Sequence, residues 1–423
     1  MRISYGKEHL GSGRHGQVYA ATSTMAARSE DVGRVFALKK TAVTNHVRHP
    51  MLLHEACALV LLRGHPSVPR VVAWGRSQYF EYLVMDRLGS TLDQTLKTIE
   101  PPRLTLRNAI VLICQMLDVI EHVHEKGIVH CDIKPRNFVF GAKEHAGRLH
   151  LIDFGLSRPW IDPTTRKPFP EDANFGFRGT LHYASRHVHL NHTPSRRDDM
   201  ESLAYIVVKL LTGTLPWANT KETEDLLPIL FAYSGKTLCE GYDDVFARFV
   251  DDVLSLQYDE TPKYQHWRQA FRAVVPGLPA DAAYDPEDDS EPHVGAPPTT
   301  SNPDVDRPIL RRCDDHPKPA EREDSDSDPL LERVLGGASR SKHGGQHDFA
   351  PNWGSSWACG SAIRAGDVFG DEFAIVNLKE EEEEGGGVEF IDVPPDYSRG
   401  SVVYPGLAPP EEMKNDQSST RCI

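Results

Sequence analysis

The sequence lacks the marks of a secreted or membrane-bound chain. Its seven cysteines, Cys57, Cys114, Cys131, Cys239, Cys313, Cys359 and Cys422, are scattered and odd in number, and none forms a Cys-x-x-Cys pair. This pattern points to free thiols in a reducing compartment. No apolar run approaches the ~18 residues that a bilayer span needs. The first residues, Met1-Arg2-Ile3-Ser4-Tyr5, have no charged-then-apolar signal pattern. Cys422 is penultimate, so the end is not a prenylation box. The expectation is an intracellular protein, cytoplasmic or nuclear, with no membrane partner. No clear basic import cluster decides between the two compartments.

A basic excess is also missing. The net charge is −14, and it is unevenly spread. Residues 286–423 hold 29 acidic and 13 basic side chains, so the first 285 residues sit near +2. The globular part would neither repel an anionic ligand nor bind nucleic acid in general.

With 423 residues and 39% hydrophobic content, the chain can bury a sizeable core. Residues 1–88 read as a small strand-rich lobe. Apolar stretches at 17–21, 35–40, 68–74 and 81–85 are broken by Gly, Pro and polar residues, and 51–62 has helical spacing. Residues 22–34 read as an exposed hairpin loop. Residues 89–285 read as a larger helical lobe, with helices expected over 104–125, 199–211, 244–256 and 264–274. The first of these stops at Lys126-Gly127. From Pro286 onward Pro, Asp, Glu, Ser and Gly dominate, as in Glu380 to Glu384 followed by three glycines. Such composition cannot offset chain entropy by burial, and a mainly disordered tail is expected over 286–423. Two apolar pieces within it, 373–378 and 388–393, and the Trp353/Trp357 pair stand out as docking segments.

The chemistry concentrates in His130-Cys131-Asp132-Ile133-Lys134-Pro135-Arg136-Asn137, followed by Ile152-Asp153-Phe154-Gly155. Asp, Lys and Asn at that spacing before Asp-Phe-Gly form the base-and-metal half of a protein kinase site. Phosphoryl transfer needs a positioned hydroxyl, Mg²⁺ and screened phosphate charge rather than covalent help. Asp132 would orient the hydroxyl or take its proton. Asn137 and Asp153 would hold Mg²⁺ through oxygen, and Lys134 would stabilise the transferring phosphate. Upstream, Gly11, Gly13 and Gly16 sit in Gly-Ser-Gly-Arg-His-Gly-Gln-Val. Such a loop lets backbone N–H groups approach phosphates. Alone it also fits a dinucleotide turn, but two strands follow it instead of a helix. Phe36-Ala37-Leu38-Lys39 fits the strand that carries the ATP lysine. Lys39 is preferred over Lys40 for its place after Ala37, and Glu55 is its expected partner.

A second block reads Arg-Gly-Thr-Leu-His-Tyr-Ala-Ser from Arg178, then Ser195-Arg196-Arg197-Asp198-Asp199-Met200-Glu201-Ser202. Together with the catalytic loop, it resembles the casein kinase 1 family of serine/threonine protein kinases over residues 5–275. Leu215-Pro216-Trp217, Cys239-Glu240-Gly241-Tyr242 and Pro262-Lys263-Tyr264 fall where that family has similar residues. Vaccinia-related kinases are relatives and an alternative nearer kin. The resemblance implies an α+β, two-lobed protein kinase fold with a disordered acidic tail. It implies a monomer that transfers the γ-phosphate of Mg-ATP to protein Ser/Thr hydroxyls. Met85, Asp86 and Leu88 would form the hinge that binds adenine, with Val18, Ala37 and Val139 around the ring. Thr180 would link Asp132 and Lys134, and buried Asp199 would hold the catalytic loop.

The chain departs from the family at two places. Cys131 replaces the arginine usual before the catalytic aspartate, which implies activity without activation-segment phosphorylation. A redox role for Cys131 is a weaker alternative. His182 replaces an arginine, and the lysine-rich stretch after Trp217 is absent, which implies a weakened preference for phosphate-primed substrates. Arg178, Arg186, Arg196 and Arg197 remain. Ser325 and Ser327 lie among acids as plausible phosphorylation sites, and the tail could bind regulatory partners or the kinase itself. The alternative function is a pseudokinase scaffold, which would be favoured by loss of Lys39, Asp132, Asn137 or Asp153. All four are present.

Overall fold

The computed structural model describes residues 2–13, 16–25, 29–43, 51–77, 79–99, 104–162, 165–290, 374–381 and 387–390. Two lobes are built as the sequence implies. In the first lobe, β1 (Arg2–Gly13), β2 (Gly16–Met25), β3 (Val35–Ala42), β4 (Val71–Arg76) and β5 (Phe80–Asp86) pack with one helix, α1 (Met51–Leu61).

Period-two alternation sorts the side chains of β3 and β5. Phe36, Leu38, Tyr82 and Val84 enter a small core with Ile3 and Ala21. Ala37, Leu83 and Met85 face the other way, into the main core. The same alternation separates the two lysines. Lys39 is buried with Ala37. Lys40 reaches the opposite face, where Nζ lies 3.8 Å from the Phe80 ring centroid and donates to Tyr5 Oη at 3.0 Å.

The connection at 22–34 is not simply an exposed loop. Its first residues extend β2 to Met25, and Asp31 is buried in a short 3₁₀ turn, Ser29–Asp31. Arg70 Nη2 donates to Asp31 Oδ1 at 2.9 Å, so an ion pair pulls the turn inward. That pair is long-range in sequence and left no local signal.

The second lobe holds α2 (Leu92–Thr98), α3 (Leu106–Glu125), β6 (Ile128–Val129), β7 (Phe138–Phe140), β8 (Leu149–Leu151), β9 (Arg158–Pro159), α4 (Arg186–His189), α5 (Arg196–Thr212), α6 (Thr223–Ala232), α7 (Gly235–Leu238), α8 (Asp244–Leu254) and α9 (Tyr264–Val274). α3 buries Ile110, Ile113, Leu117, Ile120 and Val123, and Gly127 ends it at φ +83°, a conformation that favours glycine. α5 starts three residues before the expected 199. Ser195 caps it, and the Asp198 carboxylate accepts from the Ser195 N–H at 2.7 Å. Asp199 therefore lies in the first turn, where a carboxylate suits the helix dipole.

The C-terminal boundary at 285 moves outward. Asp288 and Asp289 accept from the Thr105 hydroxyl at 2.6 Å and its N–H at 2.8 Å, which fastens residues 285–290 to the start of α3. Beyond residue 290, within the tail expected to be mainly disordered, two further segments are described. β10 (Ala374–Glu381) and β11 (Gly387–Phe390) form an antiparallel pair on the apolar pieces singled out above. β10 runs parallel to β4 and β11 antiparallel to β1, so the sheet closes in the order β1-β11-β10-β4-β5-β3-β2. Both open edges of the small lobe are thereby paired. Trp353, Trp357, Ser325 and Ser327 lie outside the described residues.

Candidate active site

Asp132, Lys134, Asn137 and Thr180 converge within hydrogen-bonding reach. Thr180 Oγ1 donates to Asp132 Oδ1 at 2.7 Å, and Lys134 Nζ donates to Asp132 Oδ2 at 2.6 Å and to Thr180 Oγ1 at 2.8 Å. Asn137 Nδ2 donates to the Asp132 carbonyl at 2.8 Å, which turns its Oδ1 into the amide atom available to a cation. The four side chains come from the segment between β6 and β7 and from the stretch before α4.

The loop that carries Asp132 is held from below. Asp199 accepts from His130 N–H at 2.7 Å and Cys131 N–H at 2.9 Å. His124 Nε2 lies 2.9 Å from Asp199 Oδ2, and its Nδ1 is 2.5 Å from Tyr264 Oη. Burial lowers the His124 pKa despite the neighbouring carboxylate, so the imidazole is neutral and donates to Asp199. These contacts hold Cys131 at φ +66°, a strained conformation for a residue with a side chain. Burial drives the Cys131 thiol pKa far up, and Asp199 adds to it, which disfavours the thiolate that a redox role would need.

Gly179 lies against that same turn. Its φ is +110°, and a Cβ would stand 2.9 Å from the Cys131 carbonyl oxygen. Gly179→Ala is expected to cost about 1–3 kcal/mol and to lower activity by moving Thr180 off Asp132. Thermal melting and steady-state rates check both effects; an unchanged rate would contradict the coupling.

Across the cleft, Lys39 Nζ donates to Glu55 Oε2 at 2.7 Å and to Asp153 Oδ1 at 2.9 Å. Burial alone would lower the Lys39 pKa, but the two carboxylates outweigh it and hold the ammonium charged. The Glu55 side chain is 2% exposed and that of Asp153 25%, so Asp153 is the carboxylate with room for a cation. Asp153 has φ +66° and starts the turn Phe154–Leu156. Gly13 pairs with Gly16 and Gly11 with Val18 across β1 and β2; the tip, 14–15, lies outside the described residues. At Gly16, with φ +124°, a Cβ would fall 2.4 Å from the Lys40 carbonyl oxygen, so only glycine lets the hairpin lie this close to β3. Ala37 pairs with Met85, and Val139 is buried on β7. Asp86 ends β5. Its Oδ1 accepts from Arg34 at 3.2 Å and from Arg70 at 3.4 Å, and its backbone leads on to Leu88.

The oxygen donors, the buried lysine and the glycine hairpin fit a magnesium nucleotide. The sequence model of the protein kinase domain matches residues 5–240, more than half of the chain. The chain belongs to the protein kinase family. Use of ATP, typically with Mg²⁺, and action on protein substrates follow from that membership.

Sequence reasoning missed one contact of this kinase. His54, next to Glu55 on α1, places Nε2 2.9 Å from the Ser157 carbonyl, just past Asp-Phe-Gly. Its neighbour Glu55 was the only signal. Burial, with Arg178 adding, pushes the His54 pKa down from 6.5 to about 4. The folded chain therefore takes up this proton less readily than the unfolded chain. The stabilisation is complete above pH 6.5 and is lost as pH falls from 6.5 to 4. It amounts to about 3 kcal/mol at 1.4 kcal/mol per tenfold change in proton affinity. Melting temperatures across that range should fall less steeply for His54→Gln than for the wild-type chain.

Proposed function

We propose that this kinase is a serine/threonine kinase of casein kinase 1 type, active without activation-segment phosphorylation and with weak dependence on phosphate priming. The observation that carries the reading is the closed Asp132–Lys134–Thr180 triangle. Asp132 orients the acceptor hydroxyl and takes its proton. Lys134, two residues on, stabilises charge on the transferring group. Thr180 ties the substrate platform to both. Asn137 and Asp153 hold Mg²⁺, and Lys39, oriented by Glu55, contacts the nucleotide phosphates under the hairpin of Gly11, Gly13 and Gly16. Val18, Ala37, Met85 and Val139 line the adenine site, with backbone groups of Asp86 and Leu88. Mg-ATP supplies the phosphoryl group and the counter-charge; the residues supply position and proton transfer.

Independence from activation-segment phosphorylation rests on Cys131, which offers no guanidinium for a phosphate. Weak priming rests on where the basic side chains go. Arg186 is taken up by Glu201 and the Leu254 carbonyl, Arg197 by Glu171, and Arg196 by Trp160 and the Asp259 carbonyl. His182 Nε2 is 2.6 Å from the Thr220 carbonyl. Comparing kcat/KM on matched primed and unprimed serine peptides tests the reading. Less than about a tenfold difference, or 1.4 kcal/mol, is expected; a large preference for the primed peptide would overturn it.

A further inference from the structure

Away from the cleft, Glu171, His187 and His192 bring one ligand-capable atom each within 4.8 Å of one another. Glu171 belongs to the activation segment, His187 to α4, and His192 to the turn after it. We propose that these three side chains form a site for a divalent transition-metal ion of the zinc class, which fastens the activation segment to α4.

The donor set decides the class of ion. Two imidazoles and one carboxylate suit Zn²⁺ or Co²⁺, with a fourth position left to water. Mg²⁺ and Ca²⁺ would need more oxygen than this cluster offers. The placement of His187 is the second observation. Its Nδ1 is buried with no hydrogen-bond partner among the described residues. Buried polar atoms are rarely left so, and an ion on this ring would end that isolation.

Charge around the cluster is mixed. Arg197 Nη2 donates to Glu171 Oε1, and His192 Nδ1 lies 2.8 Å from that same oxygen. Both contacts use Oε1, so Oε2 is the oxygen left for an ion. Metal-bound carboxylates are commonly hydrogen-bonded in this way. Arg186, nearby, is paired with Glu201. An ion on Oε2 would leave the Arg197 contact on Oε1 in place.

The location gives the ion a structural consequence. Phe175 N–H donates to the Asn191 carbonyl at 2.8 Å, Asp172 N–H donates to Thr193 Oγ1 at 2.8 Å, and Thr193 N–H donates to the Asp172 carbonyl at 2.9 Å. The cluster sits at the end of this seam. A bound ion would lock the stretch that leads to Thr180.

The test is Co²⁺ and Zn²⁺ titration of the full chain, with excess Mg²⁺ present to fill any oxygen-only site. The expected result is one ion per chain, visible bands of tetrahedral Co²⁺, and slower proteolysis within residues 165–176. His192→Ala and Glu171→Gln should each weaken binding by at least about tenfold. Glu171→Gln retains a group for Arg197, so its melting temperature should stay near that of the wild-type chain. No binding to the wild-type chain, or equal binding by both variants, would overturn the proposal and leave an adventitious ion only.

Discussion

Asp132→Asn is expected to lower phosphoryl transfer by about 10²–10⁴-fold, the usual contribution of a general base, with Mg-ATP affinity within a few-fold of the wild-type chain. The amide has the carboxylate's shape but cannot take a proton. Lys134 and Thr180 both donate to Asp132, so the change also removes the charge that holds Lys134 at 2.6 Å. Little loss of stability should follow, because Lys134 reaches solvent. The check is a rate measured beside nucleotide binding on the same preparations. A drop below tenfold would remove Asp132 from the proton-transfer role. A drop matched by lost ATP affinity would assign it to binding.

The second large effect is expected at a residue that touches no substrate. Asp199→Ala strips the partner from the His130 and Cys131 N–H groups and from His124 at once. Orphaning buried donors after removal of a buried charge costs about 3–5 kcal/mol. The Cys131 N–H bond to Asp199 supports the strained φ of Cys131, so the loop should relax and carry Asp132 out of place. Asp199→Asn keeps one acceptor oxygen and should recover part of the stability. Denaturant unfolding and rates at a temperature where both variants remain folded separate the two losses. Full activity in folded Asp199→Ala would contradict the positioning role.

Local chemistry explains which features could be read from the sequence. The α3 stripe, the stop at Lys126-Gly127 and the end of α9 at Val274 follow from periodicity and capping, which are short-range. Lys39 is separable from Lys40 by its place two residues after Ala37, and the structure puts the two on opposite faces. The short elements α2, α4 and α7 carry too few turns to show a period. Buried Asp31 depends on Arg70, 39 positions away. The tail strands read as isolated apolar pieces because their partners lie far upstream, β4 by about 300 residues and β1 by about 385; composition cannot report a pairing of that length. His54 left no motif, since a histidine beside a catalytic glutamate looks like any helix residue.

The most direct test of the central claim is γ-phosphate transfer from Mg-ATP by the unphosphorylated full chain to dephosphorylated casein and to paired serine and tyrosine peptides. Labelling of casein and the serine peptide, absent with Asp132→Asn, is the predicted result. Labelling confined to tyrosine, or none despite nucleotide binding, would contradict it.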